Sequence, residues 1–320
     1  MNSKKTLIVS HAPFWHDGSG VPERSYHTLV ALLPAVLVGI LHYGAPALGV
    51  IGLAVSTAIG WELLFNYASR RPITVGNGNA ALIGLLLAMV LPAGAPWWLV
   101  IVGTFLAIVL GLQIFGGIGA NPFNPVALAI AILMVSYKSL LDVDASLVNF
   151  SLDFPSLTDP LAALKAFGPA AVAHLSSVDL LLGRQAGALG STCGLALGVG
   201  GVYLMLRGVI RWEISVSFLA GILVTAALFN AADPTRYASP IFHLLTGYTL
   251  IGAFFLATES TTSPVNFLAM LIYGALGGVM TILIRNIGAY VDGVIFAILL
   301  INLINPLVDK IRPKAIGKVA

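Results

Sequence analysis

The chain has little charge. Of 320 residues only 9% are Asp, Glu, Lys or Arg, while 58% are hydrophobic and the mean hydropathy is +0.96. Soluble domains carry about 25% charged residues. A chain this poor in charge cannot solvate a globule of its size, so it reads as an integral membrane protein. Cysteine is almost missing too: Cys193 alone excludes an internal disulfide and any multi-cysteine metal or iron–sulfur cluster. The six histidines are scattered, without HxH or HxxxH pairing, and no metal site is expected. The basic residues form no stripe, which excludes nucleic acid as a partner. The opening "MNSKKTLIVSHAPFWHDGSG" has too short an apolar stretch for a signal peptide, and His11 and His16 beside Trp15 read as part of an interfacial segment.

What is present is a series of apolar runs. A spanning helix needs roughly 20 apolar residues. Ten segments qualify, at about 26–43, 45–66, 76–93, 96–114, 122–137, 190–209, 212–230, 240–258, 266–284 and 290–308. The division that follows is a cytoplasmic or interfacial segment 1–25, five spans within 26–137, an external loop 138–189, five spans within 190–308, and a basic cytoplasmic tail 309–320. With both termini inside, 11 of the 16 Lys and Arg fall on the cytoplasmic side and 5 on the other, as the positive-inside rule expects. In the loop, "TDPLAALKAFGPAAVAHL" predicts an interfacial helix capped at Thr158 or Asp159. The loop is too small and apolar to be a catalytic domain, so other subunits must supply much of the chemistry.

The two halves resemble each other. "ALIGLLLA" (81–88) lines up with "TLIGAFFLA" (249–257), and "IGANPFNPVALAI" (118–130) with "IGAYVDGVIFAIL" (287–299) at an offset of 169. Five spans per half is odd, so the halves are expected to be inverted. Such repeats place sites beside Gly/Pro-interrupted helices in matching positions, here 116–125 and 288–293.

Several residues carry two readings on the sequence alone. Ser191 and Thr192, behind Gly187 and Gly190 in "GALGSTCGLAL", read as helix caps or as a hydroxyl that carries something. Asn121 and Asn124 in "GANPFNPVA" stabilise a turn or hydrogen-bond a ligand edge. Glu259 in "FFLATESTTSPV", with Thr258, Thr261 and Thr262 nearby, is either a solvated helix end or part of a flavin or ion site. Glu62, Arg285 and Asp292 sit close to span ends, where they either reach water or mark function. "VGNGNAAL" (75–82) lacks a preceding strand and is not a dinucleotide loop. No catalytic residue is expected.

Three of these segments, "GGIGANPFNPVALA", "FFLATESTTSPV" and "YVDGVIFAILLINLINPLVD", together with "RSYHTLVALLPAVLVGI", resemble the D subunit of the Rnf ion-translocating oxidoreductase complex. That family is similar to the B subunit of the sodium-translocating NADH:quinone oxidoreductase. The resemblance implies an all-α membrane fold of about ten transmembrane helices in two inverted five-helix repeats. It implies a multi-pass subunit of a bacterial or archaeal cytoplasmic membrane, N-in and C-in. There it would act with the A, B, C, E and G subunits to couple electron transfer between ferredoxin and NAD to Na⁺ or H⁺ movement. It also implies FMN joined by a phosphoester to Thr192, installed by a flavin transferase acting outside the membrane, and a non-covalent riboflavin in the bundle. Gly187, Gly190 and Ser191 would flank the tether; Asn121, Asn124 and Glu259 are the other candidates. An acceptor among Thr258, Thr261 and Thr262 would lie on the cytoplasmic side, out of that enzyme's reach. Ala186 and Leu189 depart from the Asp and Ser/Thr that flavin transferases often read. A urea-type solute channel of the same architecture is the rival, since fold alone does not fix function.

Overall fold

The computed structural model describes residues 20–147 and 158–311. His11, Trp15, His16 and most of the basic tail lie outside them. Among the described residues there is no strand: the chain is an all-α membrane protein.

The elements are α1 (Val21–Tyr43), α2 (Ala45–Ala68), α3 (Asn79–Val90), α4 (Trp97–Phe105) running into a π-helix at Leu106–Gln113, and α5 (Pro125–Ser136). Three short loop helices follow: α6 (Val143–Leu147), α7 (Pro160–Phe167) and α8 (Ser177–Leu182). The second half has α9 (Gly194–Leu206), α10 (Trp212–Ala232), α11 (Pro240–Leu245), α12 (Thr249–Ile251) running into a π-helix at Gly252–Leu256, α13 (Phe267–Asn286) and α14 (Val294–Val308). Four helices, α1, α2, α10 and α13, are long and apolar enough to cross a membrane alone. The other apolar helices are shorter, and the segment expected to span 240–258 is broken at Thr246–Tyr248.

The packing repeats itself. α2 lies against α3 and α4, and α10 against α11 and α13; α1 pairs with α9, and α5 with α14. α5 and α14 begin at Pro125 and Val294, at the 169-residue offset of the sequence match. The first helices of the two halves, α1 and α9, run in opposite directions. The C-terminal end of α1 meets the start of the second half, where the Tyr43 hydroxyl donates to Gly187 O at 2.8 Å. Its N-terminal end meets the end of α9, where His27 Nδ1 lies 2.8 Å from Tyr203 Oη and Arg207 bonds His27 Nε2 at 3.1 Å. The bundle therefore has two ends: a terminal face, where α1 begins and α14 ends, and a loop face, which carries α7 and the turn before α9. The buried apolar core runs between them and is shared by both halves.

Candidate functional site

On the terminal face, both π-helices end in loops that turn back into the bundle. A π segment is a locally wide turn, often found at functional sites. The first loop reverses at Gly116, Gly117 and Gly119, with φ of +123°, +98° and +96°, a region side chains rarely adopt. It then delivers Asn121 and Asn124, both buried. Asn124 caps α5: its side-chain oxygen accepts from Ala127 N at 3.0 Å while Nδ2 donates to Leu256 O at 3.0 Å. Its backbone N–H donates to Asn302 Oδ1 at 3.0 Å, and Asn302 Nδ2 donates to the Tyr273 hydroxyl at 2.7 Å. One capping residue thus ties α5 to the second half, through both the π-helix end and α14.

Glu259 stands in the second loop. Its carboxylate accepts from Asn121 Nδ2 at 2.9 Å, Thr261 Oγ1 at 3.0 Å and Thr262 Oγ1 at 3.2 Å. Among the described residues, Asn121 Oδ1 is buried without a partner. Asn121, Asn124 and Glu259 are brought together, although they come from opposite halves of the chain. They edge a cavity of about 420 Å³ whose walls include Leu82, Ile83, Phe254 and Phe255. Ligand sites are mostly apolar clefts of about 300–1,000 Å³ with a few placed polar groups, and this cavity has that form.

On the loop face, Gly187, Gly190, Ser191 and Thr192 form one turn. Cys193, not Ser191 or Thr192, caps α9: its sulfur accepts from Ala196 N at 3.4 Å and the helix begins at Gly194, four residues past the expected start. Thr192 is wholly buried and its hydroxyl turns inward to Leu189 O at 3.4 Å. Gly190 is packed on α3; a Cβ there would sit 2.7 Å from Met89 O, and its own N–H donates to that oxygen at 2.5 Å. Ser191, bonded to Ala188 O at 3.0 Å, lines a cavity of about 200 Å³ with Gly187. That is below the usual ligand range.

The same face holds a buried ion pair. Arg285 Nη2 meets Asp292 Oδ1 at 3.0 Å, and both groups are buried, 4% and 6% exposed. Arg285 also donates to His243 O at 2.8 Å, Thr246 O at 3.2 Å and Thr249 Oγ1 at 2.8 Å. Asp292 accepts from Tyr248 N at 2.6 Å and from Val294 N at 3.0 Å, so it closes the break at Thr246–Tyr248 and starts α14. Gly247, at φ +64°, passes so close to Asp292 and Leu161 that no side chain fits. Glu62 is likewise buried and is held by the Thr74 hydroxyl at 2.7 Å. Sequence reasoning missed Asn302, Tyr273 and His243. Asn302 had a signal, being an amide within an apolar run.

The model of the NQR2, RnfD, RnfE family matches residues 8–317. The chain belongs to this family. Relatives in the family include the D subunit of the ion-translocating oxidoreductase complex of Escherichia fergusonii, 33% identical, with 97% of this chain and 98% of the relative covered. The protein of the same name from Halorhodospira halophila is 34% identical, covering 93% and 92%. The D subunit of the proton-translocating ferredoxin:NAD(+) oxidoreductase complex of Clostridium ljungdahlii is 32% identical, covering 96% and 95%.

Proposed function

We propose that this chain is the flavin-carrying membrane subunit of an Rnf-type complex. In this reading it passes electrons on a route between ferredoxin and NAD and couples them to movement of H⁺ or Na⁺. It is catalytically incomplete alone and works with the A, B, C, E and G subunits in a cytoplasmic membrane, both termini inside. Full-length similarity to relatives named for that activity supports the assignment. The observation that carries the cofactor reading is the terminal-face cavity, with its apolar walls, the unpartnered Asn121 oxygen and the Glu259 carboxylate along one edge.

These residues fit a flat ring with a polar rim. A flavin supplies one- and two-electron chemistry when bound, and the protein supplies position and polarity. Phe254 and Phe255 would pack the ring, Asn121 Oδ1 would accept an N–H from its edge, and Asn124 would hold the wall. Arg24 and Glu259 both line the cavity, so the choice of riboflavin over a phosphorylated flavin rests on the family resemblance rather than on charge.

The loop face fits its group less well. Esterification of Thr192 by FMN would require the Gly187–Thr192 turn to open, because the hydroxyl is internal. Its place on the face opposite the termini supports the assignment to an external flavin transferase.

The test separates the two flavins. Denatured protein should keep a yellow chromophore, and the peptide containing Thr192 should carry an added FMN mass. Thr192→Val should lose the label and Ser191→Ala should keep it; a label on Ser191 would overturn the tether. Flavin released on denaturation should be riboflavin, and Asn121→Leu should reduce it at least fivefold. Full riboflavin content in that variant would refute the terminal-face site.

A further inference from the structure

The loop face holds another cavity, of about 300 Å³, between α7, α11 and the end of α13. Neither proposed flavin position uses it. Its polar lining is Lys165, Arg236, His243, Arg285 and Asn286, and among the described residues no Asp or Glu lines it. Arg285 is balanced by Asp292 behind the wall. Lys165 and Arg236 leave the cavity positive. The Lys165 ammonium already donates to the carbonyls of Arg285, Gly288 and Tyr290 at 3.4, 2.6 and 2.5 Å, so it contributes charge at a fixed place rather than a free donor.

The free donors are His243 and Asn286. His243 is 1% exposed, and neither ring nitrogen has a partner among the described residues. Asn286 Nδ2 is buried and unpartnered among them too. The Arg236 guanidinium is exposed and lies over the Tyr237 ring, 5.5 Å from its centroid; its charge also acts on Asp233, which is outside the cavity lining. A buried donor without an acceptor costs about 1–3 kcal/mol, and native interiors rarely leave one. Two such donors, beside the Lys165 and Arg236 cations and with no carboxylate among the described lining residues, call for an anion with several acceptor oxygens.

We propose that this cavity binds a phosphate group, supplied by the headgroup of an anionic phospholipid. Phosphate matches the arginine fork and offers oxygens to the imidazole N–H and the amide together. The rim argues for a lipid. Phe167, Ile241 and Ile287, adjacent in sequence to or within two residues of the lining, are 78%, 53% and 71% exposed. Such exposed apolar side chains next to a basic cavity suit the acyl chains of a bound lipid.

The test is native mass spectrometry of the full chain in detergent, after delipidation, with added dioleoylphosphatidylglycerol. One lipid per chain should be retained, and dioleoylglycerol, which lacks the phosphate, should not be. Arg236→Gln and His243→Gln should each weaken retention about tenfold; Arg70→Gln, on the terminal face, should not. Arg236 is exposed, so its variant should fold whatever happens to His243. Inorganic phosphate that binds alone and displaces the lipid would keep the phosphate site and make its source soluble. Equal retention of both lipids, or retention of phosphatidylglycerol indifferent to Arg236→Gln, would overturn the proposal.

Discussion

The terminal-face and loop-face breaks lie at matching places in the two halves, just before α5 and α14, yet they are chemically unlike. At the first, α5 is started by a neutral amide, Asn124, and the surrounding polar groups are amides, hydroxyls and one carboxylate. The space beside it is about 420 Å³. At the second, α14 is started by Asp292, and Arg285 fills the break with five donated bonds. The duplication therefore supplies a repeated backbone interruption, and the side chains decide its use. One break leaves an open cavity beside it; the other is closed by charge and holds the helices together.

That contrast predicts unequal consequences of truncating each helix start. Asp292→Ala would leave the Arg285 guanidinium buried and unpaired, at a cost of about 3–5 kcal/mol. We expect the largest loss here, read as a fall in thermal midpoint in detergent and in assembled complex. Arg285→Leu with Asp292→Ala should recover most of it, since an apolar replacement of a buried pair is often neutral. Failure of the double variant to recover would mean that the bonds to His243, Thr246 and Thr249 matter more than the pair. Asn124→Ala removes a cap and a buried hydrogen bond and should cost about 2 kcal/mol. It should also release the proposed non-covalent flavin, which Asp292→Ala should do only through unfolding. Flavin loss without a stability change in Asp292→Ala would blur the division between the two breaks.

Much of this was legible in the sequence, for physical reasons. Charge poverty and apolar runs identify a helical membrane protein because few other folds satisfy a backbone in lipid. The breaks show because Gly116–Pro125 and Gly288–Gly293 carry residues that interrupt helices. The α5 and α14 starts keep the 169-residue offset of the sequence match. The remainder depended on distant partners. Asn124 and Asn302 lie 178 residues apart, and Asn121 and Glu259 138 apart. No local pattern reports such contacts. Thr192 shows the limit best. A hydroxyl before an apolar run reads as a cap or a tether, but Cys193 takes the cap, and Tyr43, Leu91 and Met89 from the first half hold the turn. The break at Thr246–Tyr248 was hidden because the run is apolar on both sides of it.

The smallest effect expected is a pH dependence on the loop face. Asp159 caps α7, accepting from Leu161 N at 3.2 Å, while its own N–H donates to Asp144 Oδ1 at 2.6 Å. Burial pushes its carboxyl up to about 7; Asp144 and Asp292 add to the rise, and the Leu161 N–H and Arg285 oppose it. Burial raises Asp144 as well. A carboxyl with a raised folded-state pKa binds its proton more tightly folded than unfolded. Its stabilising contribution is complete below the ordinary carboxylate range and falls as pH climbs to about 7. Water at the open side of Asp159 screens the charge, so the change is on the order of 1 kcal/mol, or roughly 2–4 °C. The thermal midpoint of the chain should therefore drop between pH 5 and pH 8 by that much more than in Asp159→Asn, where the cap stays neutral. The terminal-face variant Asn124→Ala should keep the full pH slope of the unmodified chain. Parallel curves for the unmodified chain and Asp159→Asn would mean that Asp159 is ionised throughout, and that charge on the loop face is compensated more completely than its buried carboxylates indicate.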